Sequence, residues 1–210
     1  MSVALLFLLL VALGAAAFPY ILRSFMTNKL DRQMQAKQYD QAEQTAQSSI
    51  YRILFGSYAQ KTQQLEIRML MDDTLQVYSL CQQLLAGRLA KKERYAVANA
   101  AYHYFLNKEE KEYAQTMLEQ LKLCADPAEI QYDAMLYRVL MESKSEDIDW
   151  LKEKLEEPAS PQQKGYLQYL IGLQYIYQGN KKDAKVYLNR AKQSLKGTPY
   201  HKKIKRLMEE

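Results

Sequence analysis

Apolar residues recur along most of this chain at spacings of three and four, the signature of amphipathic helices. Ala114, Met117, Leu118 and Leu121 form one such stripe, and Ala184, Tyr187, Leu188, Ala191 and Leu195 form another. Ile148, Leu151 and Leu155 mark the inward face of a shorter helix. Turn and cap residues separate the stripes. Asp126-Pro127-Ala128-Glu129 places an acid at the N-cap, proline at the first helical position and a carboxylate at the third, which starts a helix. Ser160, Pro161 and Gln163 repeat the device. Gly56-Ser57 breaks a helix, Asp72-Asp73-Thr74 turns the chain and caps the next one, and Gly197-Thr198-Pro199 ends one helix and starts the last. The pattern predicts helices over 24–36 and 39–54, 57–71 and 74–86, 91–106 and 110–123, 127–142 and 146–156, 161–177 and 181–195, with a terminal helix over 199–208. Pairs therefore begin near 24, 57, 91, 127 and 161, a repeat of about 34 residues.

One segment departs from the amphipathic pattern. Val3 to Leu22 carries no charge over twenty residues, enough for a helix to cross a hydrocarbon layer of roughly 30 Å. Arg23, Lys29, Arg32 and Lys37 follow it, and no charged side chain precedes it. By the positive-inside rule the residues after the span face the cytoplasm. The reading is a single-pass cell-membrane anchor at 1–23 and a helical-repeat domain at 24–210. A cleaved signal peptide ending near Ala15-Ala16-Ala17 is the rival, weakened by the missing positive n-region; a buried helix is a third.

Composition narrows the class. Charged residues are 25% and apolar ones 48%, with seven glycines and five prolines in 210 residues. That is a globular, all-α balance. Seventeen tyrosines are many. The net charge of +5 is a mild basic excess, compatible with an anionic surface nearby and too scattered to argue nucleic acid. Cys81 and Cys124 each sit in a helical pattern and read as small core residues. The lone tryptophan, Trp150, reads as a packing residue between repeats.

Gly165 to Ala191 carries a further signal. Gly172, Tyr175, Gly179, Ala184, Leu188 and Ala191 stand at the spacing of a tetratricopeptide (TPR) repeat, and the stretch resembles that family. Small residues let paired helices approach, while Tyr and Leu fill the gap between them. Tyr39-Asp40-Gln41-Ala42 resembles the turn and second-helix start of a first unit. The proline expected after the second helix is replaced near that point by Lys196-Gly197. The resemblance implies a right-handed superhelix of about five helical hairpins with a C-terminal capping helix. One hairpin cannot bury its apolar face alone, so pairs stack around a continuous core.

The resemblance also implies where a ligand would lie. First-helix side chains turned away from the second helix line a groove. In the third pair these include Arg94, Tyr95, Asn99 and His103; in the fourth, Tyr132 and Arg138; in the last, Tyr166, Tyr169, Leu173 and Tyr177. Tyrosine suits such a surface because it offers a large rigid ring and a polar tip. Tyr95 stands one turn before Asn99, where a carboxylate clamp would want Lys. No catalytic constellation accompanies the groove. His103 and His201 have no motif partner, the glycines form no phosphate loop, and HExxH and CxxC are absent. No catalytic residue, metal or cofactor is expected.

The expected function is thus a non-enzymatic scaffold or adaptor that binds a membrane-associated protein or peptide at the cytoplasmic face. Two alternatives stand beside it. One is an accessory subunit assembled through the transmembrane helix; the other is a secreted TPR-like binding protein with its leader removed. The basic terminal helix with His201, Lys202, Lys203, Lys205 and Arg206 reads as a solvated cap.

Overall fold

The computed structural model describes residues 3–157 and 159–209, with side chains placed from residue 16 onward. Among these residues every regular element is a helix. The chain divides into two compact units, Met1–Phe105 and Leu106–Glu210.

The first unit holds α1 (Val3–Gln35), α2 (Tyr39–Gln47), α3 (Ser49–Leu70), α4 (Thr74–Leu85) and most of α5 (Lys91–Lys108). Met26 and Leu30 of α1 bury themselves against Ala42 and Ala46 of α2 and against Tyr51 and Ile67 of α3. Alanines at the centre let three helices converge. The Tyr58 hydroxyl donates to the Glu93 carbonyl oxygen at 3.4 Å, and the Tyr104 hydroxyl to Asp72 Oδ1 at 3.3 Å, so α5 is tied to α3 and to the α3–α4 turn.

The transmembrane reading of residues 3–22 is corrected here. Among the described residues no helix is long and apolar enough to cross a membrane. The single-pass anchor, the cell-membrane placement and the anchored form of the fold class are overturned with it. In the described part of α1, Arg23, Lys29, Asp31 and Arg32 break up the apolar run, and Met26 and Leu30 are core residues of a protein interior. Residues 3–15, which carry most of the uncharged run, have side chains outside the described residues. What holds of the expected fold is its all-α character.

Two local differences concern the first pair. The expected helix over 39–54 is two helices, because Ser48 takes an extended conformation (φ −61°, ψ 145°) and accepts the Tyr51 N–H on its own Oγ at 3.2 Å. A side-chain cap has replaced continuation of the helix. Gly56 breaks α3 as expected, at φ +89° and ψ 165°, a conformation costly to any residue with a Cβ.

The second unit holds α6 (Lys111–Lys122), α7 (Pro127–Glu142), α8 (Ile148–Glu156), α9 (Pro161–Tyr177), α10 (Lys181–Ser194) and α11 (Pro199–Glu209). Capping boxes start α7 and α9: the Asp126 N–H donates to Glu129 and the Ser160 N–H to Gln163, at 3.3 and 2.8 Å. Helix α9 is the hub, packing on α7, α8 and α10. It meets α10 across two glycines. A Cβ at Gly172 would lie 2.7 Å from Leu188 Cγ and Cδ2, and one at Gly165 would lie 2.6 Å from Ser194 Cβ. Gly179 then takes φ +74° to end α9, and Asn180 caps α10 by accepting the Asp183 N–H at 3.2 Å.

A polar joint links α7, α8 and α9. Arg138 of α7 pairs with Asp147 at the N-terminus of α8, and with Glu146 at 3.2 Å. The Asp147 N–H in turn donates to Oε1 of Gln174, a fully buried residue of α9, at 2.9 Å. A free N–H at the start of α8 and the amide oxygen of a core glutamine are thereby satisfied together, while the Gln174 Nε2 is buried without a hydrogen-bond partner among the described residues.

Gly172→Ala is expected to destabilise the protein by about 1–3 kcal/mol, the usual cost of overpacking, although alanine favours a helix interior by about 1 kcal/mol. Combining it with Leu188→Ala should cost less than the sum of the two single changes, because truncating Leu188 removes the atoms that the new methyl meets and that methyl fills part of the cavity left behind. Urea denaturation of the four variants in the cycle measures this. Strict additivity would mean that the seam is not close-packed.

Candidate tyrosine-lined site of the second unit

On α9, Tyr169, Leu173 and Tyr177 follow at intervals of four and therefore share one face. Gly165 and Gly172 lie on the seam with α10, so this tyrosine face is held away from that partner. Helix α11 lies against it. Tyr200, Lys203 and Leu207 stand at i, i+3 and i+7, and with Arg206 they face a cavity of ≈ 310 Å³. Leu140 and Met141 at the end of α7 close a third side; Leu106, Asn107 and Glu109 close the fourth. All of these residues belong to the second unit.

Three rings fix α11 in place. Tyr200 lies edge-on to Tyr166 at 5.0 Å between centroids and tilted against Tyr169 at 5.4 Å. Its hydroxyl donates to Asn107 Oδ1 at 3.2 Å. Ile204, fully buried, anchors the same helix. At the rim, Lys203 Nζ pairs with Glu109 Oε1 at 3.0 Å. Burial pushes the Tyr166, Tyr169 and Tyr177 hydroxyls above their ordinary pKa, with a hydrogen bond to Ser143 opposing the shift at Tyr177. These three hydroxyls stay protonated at neutral pH and remain able to donate.

The residues expected at a groove have several fates. Tyr169, Leu173 and Tyr177 line the cavity. Tyr166 packs under Tyr200 and beside Tyr169, forming support for the wall. Tyr132 stands 6.2 Å from the Trp150 ring, and burial, with smaller effects from Asp133 and Tyr200, pushes its hydroxyl up to about 12. Arg138 is engaged by Asp147 and Glu146 and serves the α7–α8 joint. Arg94, Tyr95, Asn99 and His103 are half-buried on α5 in the first unit. Burial lowers the His103 pKa, and its ring packs 5.4 Å from that of Tyr102.

Sequence reasoning missed the contribution of α11, which it took for a solvated cap. Tyr200, Ile204 and Leu207 at i, i+4 and i+7 carry the missed signal, an apolar stripe within a basic helix. Compared with protein-family models, curated proteins and solved structures, the chain matches none.

Asp133, buried on α7 beside Tyr132, offers a pH test. Burial, with help from the Glu129 charge, raises its pKa from 3.8 to about 6. The folded state therefore holds a proton that the unfolded state has already released between these values. Stability from this group is lost as pH rises through that window. Asp133→Asn should show the advantage of a neutral group here: its stability relative to the native chain should grow from pH 4 to pH 6 and level off above 7. The gain is on the order of 1–2 kcal/mol. Parallel urea titrations at each pH read it, and a pH-independent difference would contradict the buried, raised carboxyl.

Proposed function

We propose that this chain is a binding module whose second unit holds a protein or peptide partner against the α7–α9–α11 face. The observation that carries the reading is the cavity itself. It combines an apolar floor (Leu140, Met141, Leu173) with tyrosine and cationic groups at its edge. Such a mix of apolar anchor sites and a few oriented polar groups is what recognition sites use. Tyrosine rings on packed helices lose little side-chain entropy on contact, so they bind efficiently.

The TPR resemblance supports the same reading. The positions that carry it include Gly172 and Leu188, one of the two close approaches between α9 and α10. First helices of successive pairs also touch, α1 with α3 and α7 with α9, as in stacked hairpins. In this reading the scaffold makes and breaks no bond; it presents a preformed face.

The test is capture of partners from cells by cross-linking, followed by mass spectrometry, with native protein and two variants. Tyr177→Ala truncates the half-buried ring at the cavity. Tyr187→Ala truncates a half-buried ring of α10 that stacks on Tyr175. Recovery of a true partner should fall at least about tenfold with the first change and hold with the second, since truncating a tyrosine hot spot costs about 2 kcal/mol or more. Equal recovery with both would place binding elsewhere.

A further inference from the structure

We infer that the cavity of the second unit takes an internal peptide segment bearing a carboxylate side chain beside a bulky apolar one, and that Glu109 keeps the carboxylate's place in the free protein. The inference rests on the peptide-binding reading and gives the ligand its chemistry.

The charges around the cavity are unequal. Lys203 and Arg206, one turn apart on α11, are its cations, and Glu109 is the one acid among the described lining residues. Among the described residues, the ion pair of Glu109 is with Lys203. Arg206 has no ion-pair partner among the described residues. The site is thus complementary to one further negative charge. Arginine's planar fork suits a carboxylate, which it can hold by two parallel hydrogen bonds.

The existing pair is easily exchanged. Its side chains are 42% and 72% exposed for Lys203 and Glu109, and an ion pair in such contact with water contributes little. Ile204 and the Tyr166–Tyr169–Tyr200 rings hold α11, so exchange at the rim leaves the helix in place. An arriving carboxylate would displace Glu109 from Lys203 and take Arg206 as well. Because the group being replaced is a glutamate side chain in mid-chain, the geometry favours a side-chain carboxylate over a chain terminus.

The apolar half of the ligand follows from the walls. Leu140, Met141, Leu173 and Leu207 enclose a space near the lower end of the range for ligand pockets, roughly 300–1,000 Å³. That room suits an inserted Leu or Phe side chain, not a folded element. Tyr177, at the same wall, offers a hydroxyl to the peptide backbone.

The experiment is fluorescence anisotropy with full-length protein and labelled peptides acetylated at one end and amidated at the other. They share a Leu-Glu-Phe centre, with Glu replaced by Gln or Lys in two controls. The acidic peptide should bind saturably, the Gln peptide about tenfold more weakly, and the Lys peptide more weakly still. Arg206→Gln should shrink the acidic peptide's advantage several-fold. Glu109→Gln should strengthen acidic-peptide binding several-fold by freeing Lys203, a gain that damage to the fold cannot mimic. Equal binding of the acidic and Gln peptides would overturn the charge preference and leave the groove reading standing. Failure of all three peptides to bind native protein would overturn both.

Discussion

Between Gly172 and the Leu188 side chain there is no room for a methyl group, and the same is true between Gly165 and Ser194. These two contacts, seven residues apart on α9, set how closely α9 and α10 approach and which way α9 is turned. The rotation has a wider effect. With its glycine edge against α10, α9 presents Tyr169, Leu173 and Tyr177 along another edge. Gln174 is directed to the start of α8, where it accepts the Asp147 N–H. One helix serves three neighbours because its small, aromatic and amide positions fall on different sides.

The joints around this hub use polar groups sparingly. Arg138, Asp147 and Gln174 link three helices through one carboxylate and one amide. Replacing Gln174 by an apolar residue would leave the Asp147 N–H without its acceptor, and that costs more than the bond itself contributes. Asp133 is the reverse case, a carboxyl whose burial favours its neutral form. The first unit relies on a different device, with Ala42 and Ala46 allowing α1, α2 and α3 to converge around Met26, Leu30 and Ile67.

Helix α11 turns a packed hairpin into a site. Without it, Tyr166 and Tyr169 would lose the ring that covers them and the cavity would lose one wall. Its inner edge is anchored by Ile204, which is fully buried, while its outer edge carries Lys203 and Arg206 at the rim. Firm packing on one side and exchangeable ion pairing on the other are what a recognition surface needs. The apolar side fixes the geometry, and in the proposed reading the charged side would select the ligand.

The sequence alone determined the local structure. Stripes at three and four, two capping boxes, the Gly56 break and the Gly179-Asn180 turn located nearly every helix, because each of these signals acts within a few residues. It did not reveal the break at Ser48, where a serine cap competes with helix continuation on nearly equal terms. It also misled over residues 3–22, because a run without charge is the signal by which a span is read, whereas the helix that holds it goes on through Arg23, Lys29, Asp31 and Arg32. Among the described side chains of the run, Phe18, Tyr20 and Ile21 are exposed, and only beyond it do Met26 and Leu30 enter a core. Of the groove candidates, Tyr169, Leu173 and Tyr177 were legible from their common face. Tertiary structure alone assigned Arg138 to a joint, Tyr166 to a supporting role, and Tyr200, Lys203, Arg206 and Glu109 to the cavity. Glu109 and Lys203 lie 94 residues apart, and no local pattern encodes a contact that only the packing of intervening helices can bring together.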